Sequence, residues 1–461
     1  MAFFSRIRHH ITNPESYHRR IASSFLLVSA FVLIGRLAGA AKEMAIAWRY
    51  GISEIVDAYV LVFSLISWPV SVWFSVLSIV LVPLLARLKV NSATNIQQFR
   101  NEVFGFTIVL GIILSILIYF SFPYILSASW TGLPISTKHL ADNFATGLAP
   151  IALMGIVINL FSAWMLANGH HRNTLFEAIP ALVILMVLFL PPTWMTEPLL
   201  WGTLIGVALQ LIALSIPLMQ RNQLQMPCFT FQSPAWKGFW NAIGVLAISQ
   251  TLMSFSTIID QFTAANLGVG AISTLSYSNR VLALLLSLGA MAIGRAVLPV
   301  FSDMYAKREG DLKKTALQWC GWMFLLGLGV CLIFWILSPW VIAILFERGQ
   351  FSATDTQSVS DVLRWGLIQV PFFYAGLVLV QLLASHERYN IIAFFTVTNL
   401  FIKIIGNLFL PDLMGVSGIA LSTGLMYVEK LINVWLIANT PMAFQKPFQA
   451  GDWKVKHGIC N

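Results

Sequence analysis

"VPLLARLK", residues 82–89, closes a long apolar run, and "LPVFSDMYAK", residues 298–307, closes another in the same way. Pro83 and Pro299 stand 216 positions apart. A second pair repeats at nearly the same offset: "LANGHHRN" (166–173) and "LASHERYN" (383–390) place Leu166 and Leu383 217 positions apart. Two matches at one spacing predict a duplicated unit.

Each unit is read from its apolar runs. Stretches of 18 or more apolar residues recur along the chain, each long enough to cross a hydrocarbon core of roughly 30 Å as a helix. Bounding them by charge, Pro and Gly gives about twelve spans, six per unit, with 141–167, 174–191 and 357–384 each read as one unbroken span. Six is even, so the halves share an orientation. That predicts a parallel repeat about an axis along the membrane normal, with a binding site expected between the lobes.

Composition agrees. The 461 residues are 58% hydrophobic and only 10% charged, with a mean hydropathy of +0.78, whereas roughly a quarter of a soluble domain is charged. The expected fold is an all-α polytopic membrane protein of about twelve transmembrane helices in two six-helix lobes. The segments are a cytoplasmic N-terminal stretch (1–21), an N-lobe (22–220), a cytoplasmic linker (221–238), a C-lobe (239–440) and a cytoplasmic tail (441–461). The basic N-terminus leads into a span with no small-residue cleavage site, so the first helix is expected to be retained.

The net charge of +9 follows membrane topology rather than nucleic-acid binding. With the N-terminus inside, eighteen of the 28 cations fall in cytoplasmic segments and four outside, as the positive-inside rule requires. No P-loop, GxSxG, HExxH or metal-ligand spacing appears. The four cysteines lack ligand spacing and read as small hydrophobes. His9, His10, His170 and His171 read as solvated loop residues beside Arg. A catalyst acting on saccharides usually needs a large extracytoplasmic loop, and the chain has none, so an enzyme is not expected.

What remains are ionisable residues inside spans, which cost roughly 2.5 to 3.5 kcal/mol each on insertion scales and therefore tend to face a cavity. "GRLAGAAKEMAIAWRYG" (35–51) carries Arg36, Lys42, Glu43 and Arg49. At about 100° per residue Lys42 shares a face with Arg49, and Arg36 with Glu43. Arg49 reads as an interfacial anchor beside Trp48 and Tyr50. Arg36, deeper in the span, reads as a cavity cation or as half of a buried pair. Asn279 and Arg280 open the eighth span, and Arg295 reads equally as cavity-lining or snorkelling. Arg suits phosphate because its planar fork donates two parallel hydrogen bonds, so Arg36, Lys42 and Arg280 are the candidate pyrophosphate ligands. Asp260, Lys403, Glu429 and Lys430 form a second charged set, read either as mutual neutralisation or as an ion- or proton-coupling site.

At these residues the sequence resembles the MurJ (MviN) lipid II flippases of the MOP transporter superfamily. The stretch 35–51 followed by "VDAYVLVFSL", then "AISTLSYSNRVLALLLSLGAMAIGRAVLPVFS" and "ILFERGQFSATDTQ", carry the likeness. The resemblance implies two lobes around a cationic cavity and alternating access. It implies an undecaprenyl-pyrophosphate-linked saccharide as substrate in the bacterial inner membrane, where the even span count and the charge split place both termini in the cytoplasm. It also implies coupling to membrane potential, sodium or protons, no bound cofactor, and polysaccharide or cell-wall synthesis enzymes as partners. Arg36, Lys42 and Arg280 match family cavity cations. Asp57 matches the acid opening the second helix, and with Asn279 and Glu43 it is a candidate cavity or gating residue. Asp260 and Asn399 fall where some members bind sodium. Val70 and Ser71 replace an arginine pair, Lys403 replaces an acid four residues after Asn399, and the chain stops after twelve spans where the family has two more. These departures favour a related flippase for another polyprenyl-linked saccharide, such as an exopolysaccharide or O-antigen unit. Lipid II itself and an ion-coupled exporter of the MATE type are the alternatives.

Overall fold

In the computed structural model, the described residues are 17–91, 93–167, 173–191, 193–220, 224, 226–307, 312–385 and 389–438. Among them every regular element is helical, in fifteen α-helices and one short 3-10 turn. Among the described residues, eight stretches are long and apolar enough to cross a membrane by length and composition alone. Contacts divide the chain into two units. Described residues up to Thr251, with Arg348–Gln350, form the first, and Leu252–Glu347 with the residues from Phe351 onward form the second.

In the first unit the helices are α1 (Tyr17–Tyr50), α2 (Glu54–Asn91), α3 (Ala93–Ser127), α4 (Ile135–Leu148), α5 (Pro150–Ala167), α6 (Asn173–Phe176), α7 (Ile179–Leu188) and α8 (Pro198–Gln220). Then come α9 (Ala235–Ala265), shared at the boundary, and in the second unit α10 (Ala271–Lys307), α11 (Leu312–Phe346), α12 (Ala353–Leu367), α13 (Gln369–Ser385), α14 (Tyr389–Met414) and α15 (Val416–Ala438). Within the first unit α5 packs on α2, α3 and α8, and α7 on α8. Within the second, α13 packs on α10, α11 and α15, and α14 on α15. The same pairings recur at matching positions in each unit, so each half builds the same bundle.

Of three runs read as single spans, 357–384 lies within one continuous apolar span, Ala353–Leu383, and the other two are interrupted. The first is interrupted at Ala149, between α4 and α5, where Pro150 brings no N–H to the helical ladder while Ala149 itself keeps a right-handed helical conformation. The carbonyl of Ala149 at that break accepts a hydrogen bond from Ser115 Oγ at 2.8 Å. The corresponding run of the second unit carries only a one-residue irregularity at Ile368, itself in right-handed helical conformation, and there Gln369 Nε2 donates to the carbonyl of Gly366 at 2.9 Å. At each interruption a side chain adds a hydrogen bond to a carbonyl that also accepts a backbone N–H. The run 174–191 breaks between α6 and α7, with Pro180 in the first turn of α7.

α3 and α11 occupy equivalent places and present large apolar side chains outward: Ile113, Ile116, Leu117 and Phe120 on one, Trp322, Leu325, Ile336 and Trp340 on the other. Faces of that extent are what a lipid-embedded bundle shows.

The segment expected to be a polar linker is held down where it is described. Glu102 of α3, wholly buried, accepts from Thr230 Oγ1 at 2.8 Å, from the Gln232 and Ser233 amides and from Trp236 Nε1 at 2.7 Å. Phe99, Phe106, Phe231, Trp236, Phe239 and Trp240 pack against one another beside it, mostly edge to face. Arg100 is buried, with its guanidinium 4.9 Å from the Trp164 ring centre.

Candidate functional site

The end of α1 sorts its four charges into three situations. Lys42 and Glu43 form an ion pair at 2.8 Å, both side chains largely covered, so the cation nearest Glu43 is its sequence neighbour and not Arg36. Arg36 is exposed and has no carboxylate partner among the described residues. Arg49 turns inward: its Nη1 donates to the carbonyls of Leu188 at 2.5 Å and Leu190 at 3.2 Å. Those carbonyls lie at and beyond the C-terminus of α7, where helical carbonyls lack intrahelical donors and the dipole favours a cation. Arg49 is thus a cap for another helix as well as a neighbour of the Tyr50 ring. Gly51 closes α1 with a positive φ of 56°, the left-handed position glycine fills without strain, and Asp57 is buried in the first turn of α2. At the positions where the resemblance implies arginines, Val70 offers its carbonyl to Asn159 Nδ2 at 2.8 Å and Ser71 bonds back to Trp68.

The second unit holds a cavity of about 390 Å³. Asp260 of α9, Asn279 of α10, Asn399 of α14 and Thr423, Tyr427 and Lys430 of α15 line it. Asn279 therefore joins Asp260 and Asn399, residues that sequence reasoning assigned to a different set. Arg280, its neighbour, is exposed and does not line this cavity. Glu429 is also outside the lining: its carboxylate bonds Asn433 Nδ2, while Lys430 faces in. The Arg295 side chain lies outside the described residues.

Lys403 sits in the wall, with no exposed surface. Its Nζ meets four oxygens: Asp260 Oδ1 at 2.8 Å, Ser422 Oγ at 2.9 Å, the Ile419 carbonyl at 3.1 Å and Thr423 Oγ1. Asn407 extends the network, donating to Asp260 Oδ1 at 2.7 Å and accepting from Ser422 Oγ. Gly406 makes this possible, because a Cβ there would lie 2.6 Å from Ser422 Cβ; without one, α14 and α15 approach closely. A charge this deep is tolerated when paired and fully hydrogen-bonded. The residues present do not fit a sodium ion at Asp260, since an ammonium already holds the carboxylate oxygen. Asn407, Ser422 and Thr423 carry no motif, and only the unexplained lysine in an apolar run pointed toward them.

The family model described as lipid II flippase MurJ matches residues 46–455. The chain is 30% identical over 272 residues to a probable lipid II flippase MurJ of Bdellovibrio bacteriovorus, covering 56% of this chain and 50% of that one. It is 34% identical over 192 residues to one of Helicobacter pylori, covering 41% of each. The chain thus spans about half or less of these relatives. It is 24% identical to the lipid II flippase MurJ of Burkholderia cenocepacia over 87% of this chain and 80% of that one. A solved lipid II flippase MurJ in an inward closed conformation superposes with a TM-score of 0.77 at 20% identity, over 91% of this chain and 89% of that one. An inward-facing multidrug resistance MATE family transporter superposes with 0.69 at 15%, over 87% and 93%. At such identities the structural likenesses establish the fold.

Proposed function

The chain belongs to the MurJ lipid II flippase family, and from that premise we propose that it carries an undecaprenyl-pyrophosphate-linked saccharide, lipid II foremost, between leaflets of the bacterial inner membrane. The families it resembles are transporters rather than catalysts, and no enzyme family is indicated. The observation that carries the reading is the family match over residues 46–455. It gains chemical content from Arg36, an exposed cation on an apolar helix with no carboxylate partner among the described residues. Arg36, Lys42 and Arg280 are proposed as the groups that hold the pyrophosphate, with Asp57, Glu43 and Asn279 shaping the surroundings. Alternating access driven by membrane potential or protons moves the cargo, and the enzymes that make or consume the lipid-linked saccharide are the expected partners. Both termini are assigned to the cytoplasm.

The relatives weigh toward lipid II over an exopolysaccharide unit, while the loss of the arginine pair at Val70 and Ser71 favours the latter. Two measurements separate them. Purified protein in vesicles should expose labelled lipid II to an outer-leaflet reagent, and the gene should restore growth to cells depleted of their own lipid II flippase. Failure of both, alongside flipping of another undecaprenyl-pyrophosphate saccharide, moves the assignment to that substrate. Failure with every such lipid ends the reading.

A further inference from the structure

We propose that Lys403 is a built-in cation: its ammonium permanently fills a four-oxygen site that would otherwise take an alkali-metal ion, so the second unit works without binding one. The donor set carries this. A carboxylate, a backbone carbonyl and two hydroxyls surround Nζ, and all four are oxygens, the ligands that hard cations take. A primary ammonium has three protons to give, and here it meets more acceptors than it has donors.

The surroundings agree. Asp260 faces the cavity, and so does Asn399, whose Oδ1 is buried without a hydrogen-bond partner. An unsatisfied buried acceptor is a place for a water or an ion, so the wall outside the ammonium is polar rather than apolar. The ammonium in that wall is covalently attached, with its stem wholly enclosed, so it neutralises Asp260 and cannot leave with a gradient. Lys430 adds a second positive charge to the lining, and among the described residues it has no carboxylate partner. A further cation is therefore repelled. On the transport reading above, coupling to sodium does not pass through this site.

Removing the side chain should uncover the site. Purified wild-type protein, Lys403→Ala and the doubly neutral Asp260→Asn/Lys403→Met would be unfolded thermally in sodium, potassium and choline chloride at equal ionic strength. Wild type should show one midpoint in all three salts. Lys403→Ala should gain about 2 °C or more in sodium or potassium over choline, and the double variant should be indifferent. Alkali-dependent stability of the wild type, or an indifferent Lys403→Ala that is folded by its helical spectrum, overturns the proposal. If Lys403→Ala is not recovered, the wild-type comparison decides alone. These readouts need no flipping activity, so their failure leaves the substrate assignment standing.

Discussion

Trp236 donates its indole N–H to Glu102 across 134 positions of sequence at 2.7 Å, and the same carboxylate collects the Thr230 hydroxyl and two backbone amides of the segment between. A buried carboxylate with this many donors fixes its partners strongly, because each would otherwise be left desolvated and unpaired. Glu102→Gln turns one acceptor into a donor facing donors. It should cost about 2–4 kcal/mol, read as a lower unfolding midpoint and faster protease cleavage between 226 and 234; unchanged values for both would remove Glu102 from this role.

Arg49 ties α1 to the end of α7 through two carbonyls bonded by one guanidinium nitrogen, and a lysine, with a differently shaped stem and a more strongly hydrated ammonium, replaces it only in part. Arg49→Lys should lose about 1 kcal/mol and Arg49→Ala about 1–2 kcal/mol, the half-buried setting discounting the value of a charged hydrogen bond. Denaturant unfolding checks it. A simple interfacial anchor would instead tolerate lysine fully.

Gly406 sets the spacing of α14 and α15. Gly406→Val should push Ser422 from Lys403 and cost about 1–3 kcal/mol as overpacking. Gly406→Ala should cost less. An equal, negligible effect of both would mean that the helix pair yields and that Ser422 is not held by this contact.

Arg36→Ala and Arg280→Ala, at wild-type levels in the membrane, should each slow flipping of a pyrophosphate-linked lipid by about tenfold or more, the worth of a charged hydrogen bond. Arg36→Lys should retain more activity than Arg36→Ala. Full transport by both alanine variants would remove these residues from substrate binding.

Much of the fold is legible because hydropathy is local. Each apolar run declares a helix from its own residues, since backbone groups in lipid must be satisfied within the segment, and the repeat declares itself through Pro83 and Pro299. The interruptions were less visible. Pro150 and Pro371 stand in plain sight, yet Pro69, Pro83, Pro123 and Pro217 lie inside helices that continue past them. A proline by itself therefore does not mark the end of a helix.

The site divides in the same way. Arg36, Lys42, Asp260, Asn399 and Lys403 were visible as polar groups in apolar surroundings. Their partnerships were not. Glu43 was aligned with Arg36 by helical period but bonds Lys42, Glu429 was grouped with the coupling set but turns to Asn433, and Asn279 belongs with Asp260 rather than with Arg280.

The sequence by itself determined that this chain is a duplicated bundle of membrane helices with costly charges inside it, because length, apolarity and charge are properties of segments. Only the tertiary structure decided that Lys403 answers Asp260, 143 positions away, and that Glu102 gathers the linker. Such pairings depend on how far two helices approach and which faces they turn, set at Lys403 by the missing side chain at Gly406. No periodicity along one helix encodes the direction of another.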